Sequence, residues 1–241
     1  MSEEKVIQHS KKALKALKSP DKTWLEKIKE FLGEILIIVL AVSITLLFHN
    51  WNDERHEKKL AREFLQGIRN DLKGSADDIE ASVKTFQPTV DYYNEVWKEV
   101  KMHKINAAYV DSNADYLMNT NYFIFDDSRF EGFKSSGYLR LIENQELLKH
   151  LVILYSSYMP FERDADMNVF RTRERDYNTY IGIKGTEYSE NIGVSKLLND
   201  PAVRYQILRY VFIFDERKRH KLQLAKRLRI MVAEIDEELK K

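Results

Sequence analysis

FLGEILIIVLAVSITLLFHNW, residues Phe31–Trp51, is the stretch whose reading decides the fold. Its 21 residues hold thirteen Leu, Ile, Val or Phe side chains and a single charge, Glu34. As a helix it is roughly 31 Å long, close to the hydrocarbon thickness of a bilayer. Each large apolar residue favours insertion by about 0.3–0.6 kcal/mol at the centre of a span, whereas an acidic residue costs about 2.5–3.5 kcal/mol there and less near an end. The balance favours a transmembrane helix. Trp24, Phe31, Phe48 and Trp51 stand where interfacial aromatics belong. A cleaved signal peptide fits less well, because a long charged stretch precedes the apolar run and polar HNWNDER follows it in place of a small-residue cleavage site. The expected element is an uncleaved signal anchor of a single-pass protein of the inner (cell) membrane.

The flanks set an expected orientation. Lys11, Lys12, Lys15, Lys18, Lys22, Lys27 and Lys29 precede the span, against Arg55, Lys58, Lys59, Arg62 and Arg69 after it. That excess places the N-terminus in the cytoplasm and the C-terminal domain in the periplasm. Residues 1–30 therefore read as a basic, amphipathic cytoplasmic lead-in, with Ser19-Pro20-Asp21 as a helix start and Trp24, Ile28, Phe31 and Leu32 on one face. The lysine-rich KKALKALK before it is either a site of contact with anionic lipid or only a flank that sets topology.

Within the span, Glu34, Ala41, Thr45 and Asn52 fall inside about a 40° arc at 100° per residue. Two readings stand. A small, polar helix face is satisfied in lipid by another helix, making a homo-oligomeric or partner-binding seam; alternatively, Glu34 snorkels to the headgroups and the stripe has no role.

Beyond the span, residues 52–241 read as a helical soluble domain, so the expected class is all-α: one transmembrane helix, then an extended, coiled-coil-like domain of long antiparallel helices. Leu60, Phe64, Ile68, Leu72, Ile79, Val83 and Phe86 follow a spacing of three and four that predicts a long amphipathic helix, interrupted at Gly74-Ser75 and closed by Pro88. Val90, Tyr93, Val96, Trp97 and Val100 outline a second helix ending near His103. Residues 105–127 show no sustained period and read as an unburied loop, with extended pieces around Tyr122–Phe125. Ser128 and Glu131 form a capping-box pattern, Ser135-Ser136-Gly137 a stop, and Asn144 the cap of a helix running to Pro160. A further helix is expected over 161–180, then a turn-rich stretch at Gly182 and Gly185. Asp200-Pro201 opens the last helix, in which Val203, Ile207, Tyr210, Phe214, Leu224, Leu228, Met231 and Ile235 keep heptad register and basic residues fall at 217 and 221. This helix is the natural antiparallel partner of residues 53–86.

GEILIIVLAVSITLLFHNWND at 33–53 and FEGFKSSGYLRLIENQELLKHLVILY at 130–155 resemble a family of uncharacterised single-pass membrane proteins of Gram-negative bacteria, known as a domain of unknown function. The matching positions are Gly33, Glu34, Asn50, Trp51 and Asn52, then Ser136, Gly137, Leu141, Ile142 and Asn144; Asp53 stands where the family usually has Glu. The resemblance implies a single-pass anchor and a helical domain, and brings no activity, cofactor or metal with it.

Composition and motifs narrow the chemistry further. The 241 residues carry 39 basic and 38 acidic side chains, so no global field recruits nucleic acid. With 0 cysteines there are no disulfides, thiolate metal sites or thiol nucleophiles. Phosphate-binding glycine loops, the nucleophile elbow and the two-histidine zinc helix are all missing from the sequence. Asp164, Asp166 and Asn168, like Asp111, Asn113 and Asp115, imitate the start of a calcium loop, but lack its glycine and closing glutamate, so turns and helix faces are the better reading. The basic run from Arg217 to Arg229 is flanked by acids and reads as a solvated, salt-bridged face in place of a nucleic-acid patch. The expected function is a non-enzymatic membrane-anchored scaffold or sensor whose helical domain binds a protein or envelope component, with the lipid bilayer and a second copy or protein as partners and no catalytic, cofactor-binding or metal site. A membrane-acting stress or phage-defence effector with a cytosolic sensing domain, and a periplasmic enzyme with paired carboxylates, are the alternatives.

Overall fold

The computed structural model describes residues 24–117, 119, 121–182 and 193–241. The lysine-rich lead-in, the Ser19-Pro20-Asp21 start and Gly185 lie outside the described residues. Every regular element among those described is helical: α1 (Trp24–Met102), α2 (Ala107–Ser112), a 3₁₀ turn (Ala114–Leu117), α3 (Ser128–Ser135), a second 3₁₀ turn (Tyr138–Leu141), α4 (Gln145–Ile153), a π turn (Leu154–Tyr158), α5 (Met159–Tyr177), a second π turn (Asn178–Gly182), α6 (Val194–Leu197) and α7 (Pro201–Leu239). The chain is all-α, as expected. It divides into two compact units, residues 1–61 and 62–241.

In the first unit the part of α1 that begins at Phe31 is long and apolar enough to cross a membrane, and none of its most apolar window is buried. Leu36, Leu47 and Phe48 are each at least 60% exposed. Full exposure of a large apolar side chain to water costs about 1.5–3 kcal/mol, and a row of them needs an apolar surrounding.

The second unit holds two apolar cores. In the first, Ile68 and Leu72 of α1 meet Phe130, Leu151 and, on α7, Leu228 and Ile235. Phe130 stacks on Tyr155 with ring centroids 4.4 Å apart. In the second, Tyr92 and Val96 of α1 meet Val110, Leu198 and, on α7, Val203 and Ile207. All eight heptad residues expected on α7 are buried. Its antiparallel pairing with α1 is pinned by Arg69 Nε to Asp236 Oδ1 at 2.7 Å, Arg229 Nη2 to Glu80 Oε2 at 2.9 Å and Lys218 Nζ to Gln87 Oε1 at 2.7 Å.

Four local expectations are corrected. Gly74-Ser75 and Pro88 do not interrupt α1, which runs through both to Met102. A glycine costs about 1 kcal/mol in a helix and a proline about 3 kcal/mol; the burial of Ala76 and Ile79 beyond the first, and of Val90, Tyr92, Tyr93 and Val96 beyond the second, outweighs both. Pro160 does not end a helix either, because the wide π turn at Leu154–Tyr158 lies directly before it and relieves the clash with the preceding turn. Residues 105–127 are not an unburied loop: Val110, Leu117 and Phe123 enter the cores, their backbone polar groups being met by side chains. The capping box is replaced by another device, in which Ser128 N donates to Asp126 Oδ1 at 2.9 Å and Glu131 pairs with Lys134.

Other termini follow the sequence. Asn144 Oδ1 accepts from Leu147 N at 3.2 Å, and Asp200 Oδ1 from Ala202 N at 2.8 Å. Gly137 closes the α3 turn at φ 76°, a left-handed conformation that favours glycine.

Candidate functional site

The heptad seam of α7 carries charge at one level only. Between Phe214 and Leu224 its inward positions are Arg217 and Lys221, and α5 answers them with Glu162 and Asp166. Arg217 donates from Nη2 to Glu162 Oε2 at 2.6 Å and from Nε to Asp166 Oδ1 at 2.9 Å. Lys221 Nζ stands 2.9 Å from Asp166 Oδ2, which also accepts from the Phe123 backbone N–H at 2.8 Å. Asp166 is 3% exposed and Lys221 6%. His220 Nδ1 lies 3.3 Å from Glu162 Oε1. Two opposite helices thus trade two acids for two bases, with Phe214 of α7 in one core and Leu224 in the other. A buried charge is tolerated when it is paired and hydrogen-bonded, and this layer meets both conditions.

Arg173, one turn and more beyond Asp166 on α5, is 4% exposed and differs from its neighbours. Its Nη1 donates to the Asn119 carbonyl, and its Nη2 to the carbonyls of Tyr116 at 2.6 Å and Leu117 at 2.7 Å. Its guanidinium carbon lies 5.0 Å from the ring centre of Phe214 and 5.4 Å from that of Tyr93. Its Nε–H is buried and has no acceptor among the described residues. Burial pushes the Tyr93 hydroxyl above its ordinary range, and the Arg173 charge beside it pulls the other way. A further turn along, Tyr210 donates to Asp176 Oδ2 at 2.9 Å; burial, then this bond, raises its hydroxyl above the usual value.

Arg173 and the charged layer share a cavity. Its polar wall is Asn121, Asp166, Arg173, Arg217, Lys218 and Lys221, and its apolar wall is Val83, Phe86, Val90, Val169, Phe170 and Phe214. About 40 Å³ of it admits the centre of a water molecule, and each water needs about 10–15 Å³ of such space, so it has room for about three.

The acidic triplets that imitate calcium loops are spent elsewhere. Asp111 accepts from Ser195 N and Ser195 Oγ, both at 2.8 Å, and Asn113 donates to the Tyr109 carbonyl. Asp164 pairs with Arg163. Among the described residues no three His, Asp or Glu side chains stand close enough to share a metal ion.

The residues singled out on the span lie on α1. Glu34 and Ala41 are half-buried, while Thr45 and Asn52 are exposed. Thr45 Oγ1 donates to the Ala41 carbonyl at 2.8 Å, so its hydroxyl is satisfied within its own helix. Gly33, Asn50 and Trp51 follow the same helix, with the Arg55 guanidinium 4.8 Å over the Trp51 ring. In the second unit, Ser136 Oγ donates to the Gly132 carbonyl at 2.8 Å, and Asn144 both caps α4 and donates from Nδ2 to Glu238 Oε2 at 2.7 Å. These motif residues hold turns and helix ends; none lines the cavity. Glu162 carries no sequence motif and Asp166 only the false calcium-loop triplet, so the break in the apolar seam at 217 and 221 is what signals that acids must face it. No protein-family model, curated protein or solved structure matches the chain.

Proposed function

We propose that the chain is a non-enzymatic sensor or scaffold held in the inner membrane by one uncleaved, single-pass helix over residues 31–51, with the N-terminus in the cytoplasm and the helical domain in the periplasm. The observation that carries it is the unburied apolar stretch of α1 in a chain whose second unit has its own two cores. The non-enzymatic part is supported by the contacts of the buried acids: Glu162, Asp166 and Asp176 are each held by an arginine or lysine, so their oxygens are engaged in ion pairs, unlike a carboxylate pair free to exchange a proton with a substrate. The resemblance of Gly33, Glu34, Asn50, Trp51, Asn52, Ser136, Gly137 and Asn144 to a single-pass membrane family agrees with this reading. The face of Glu34, Ala41, Thr45 and Asn52 is its contact to a second copy or a partner span.

A reporter fused to the C-terminus tests the orientation. An alkaline phosphatase fusion is expected to be active and a cytoplasm-dependent fluorescent fusion dark; the reverse pattern would replace this reading by that of a membrane-acting effector with a cytosolic domain. Because the chain has 0 cysteines, a single cysteine introduced in the span reports neighbouring copies by oxidative crosslinking. A strict monomer with no co-purifying protein would count against the scaffold.

A further inference from the structure

The charge on the cavity wall does not balance. Four cations, Arg173, Arg217, Lys218 and Lys221, border it together with one carboxylate, Asp166. Adding Glu162, which binds Arg217 from behind the wall, leaves two acids for four bases, and both acids are taken by Arg217 and Lys221. Among the described residues Lys218 meets the neutral amide oxygen of Gln87 at 2.7 Å and no carboxylate. Arg173 meets backbone carbonyls, two aromatic faces and the Tyr93 hydroxyl, and again no carboxylate among the described residues. Uncompensated cations beside a partly buried space favour an anion there.

Arg173 adds a second, independent sign. Its guanidinium is over nine-tenths buried and borders the cavity, yet its Nε–H has no acceptor among the described residues. Buried charged donors are almost always hydrogen-bonded, and an exception asks for the group that completes it. Apart from the Asn121 amide, the remaining walls, among them Phe86, Val169 and Phe170, are hydrocarbon.

We propose that this cavity binds a small organic acid by its carboxylate, a group of three heavy atoms that space for about three waters admits. One carboxylate oxygen accepts from Arg173 Nε, Lys218 supplies the opposing charge, and the short hydrocarbon part lies against Phe86 and Val169. Phosphate fits less well. Both terminal nitrogens of Arg173 are occupied, so no bidentate fork is free, and the extra oxygens of a tetrahedral dianion would face hydrocarbon. Such a ligand would join α1, Asn121, α5 and α7 at one point, which is what a sensor requires. The inference rests on the sensor reading for its biological use; reporter topology and crosslinking bear on that reading, and the titration below bears on the cavity alone.

The test is calorimetric titration of the full-length chain in phospholipid nanodiscs with butyrate, its neutral isostere butyramide and inorganic phosphate. Butyrate is expected to bind saturably at one site, more tightly than phosphate, with no saturable heat from butyramide. Lys218→Met, which loses one of the contacts between α1 and α7, to a neutral amide, is expected to lower the thermal midpoint of the unliganded protein only slightly and to bind butyrate about tenfold more weakly or worse. Absence of saturable butyrate binding, equal binding of butyramide, tighter binding of phosphate, or unchanged affinity in Lys218→Met would each overturn the proposal.

Discussion

Replacing Asp166 by asparagine removes one negative charge from the centre of the charged layer with almost no change of shape. In the native protein its carboxylate receives Arg217 Nε at 2.9 Å, Lys221 Nζ at 2.9 Å and Phe123 N at 2.8 Å. The asparagine keeps a single acceptor oxygen and turns an NH₂ group toward a cation. Lys221 is then left with the two oxygens of Asn121 at 3.4 Å, both neutral. Losing an ordinary neutral hydrogen bond costs about 0.5–1.5 kcal/mol, but removing one partner of a buried ion pair costs about 3–5 kcal/mol because the other charge stays behind. The second figure applies here, and against a typical total of about 5–15 kcal/mol it is a large share. Lys221→Met is expected to cost less, since Asp166 keeps Arg217 and the Phe123 N–H. The double variant is expected to recover part of the Asp166→Asn loss, because no orphaned ammonium remains. Urea unfolding of the full-length chain in detergent micelles, followed by circular dichroism, measures all three. A loss under about 1 kcal/mol for Asp166→Asn, or strict additivity in the double variant, would show that the layer is hydrated and uncoupled, refuting the reasoning.

Gly193→Ala puts a methyl carbon against the Asp111 carboxylate, closer than van der Waals contact, and must push that carboxylate off Ser195 N and Oγ; a loss of about 1–2 kcal/mol is expected, and an unchanged thermal midpoint would remove Asp111 as the anchor of α6. In acid, the carboxyls of Asp236, hydrogen-bonded by Arg69, and of Glu80, hydrogen-bonded by Arg229, lie below their usual range. Groups with a lowered folded value stabilise fully above the unfolded value and lose that contribution as pH falls through the folded one. Thermal midpoints are therefore expected to hold near neutrality and fall in the acid range, less steeply in Asp236→Asn/Glu80→Gln; equal slopes for the two proteins would contradict this. Ala41→Leu places bulk on the proposed seam and is expected to reduce crosslinking between spans without preventing insertion. Undiminished crosslinking would remove that face as the contact.

Much of the architecture is legible in one dimension because it depends on local periodicity and end signals. The apolar run at 31–51, the three-and-four spacing through Leu60–Phe86, the Asn144 and Asp200 caps and the heptad of α7 all report a helix and its buried side without knowledge of any neighbour. Pro88 and Pro160 misled for the opposite reason. A proline's local cost is fixed, but whether a helix survives it depends on side chains packed from elsewhere, here Tyr92, Tyr93 and Val96 beyond the first and a π turn before the second.

The site shows the same division more sharply. Arg217 and Lys221 stand out in the sequence as basic residues at inward positions of an apolar seam, and that much needs only a helical period. Their partners do not: Glu162 and Asp166 lie about fifty residues away on α5, in a helix whose sequence is rich in charges of both signs. Arg173 is one arginine among several in α5 until the carbonyls of Tyr116, Leu117 and Asn119, with Phe214 and Tyr93, converge on it. Sequence alone determined that this is a helical chain with one stretch built for an apolar surrounding, since hydrophobic length and period are properties of consecutive residues. Tertiary structure alone decided which charges are buried, which are paired and where one donor is left over, because desolvation and hydrogen bonding depend on what the fold brings into contact.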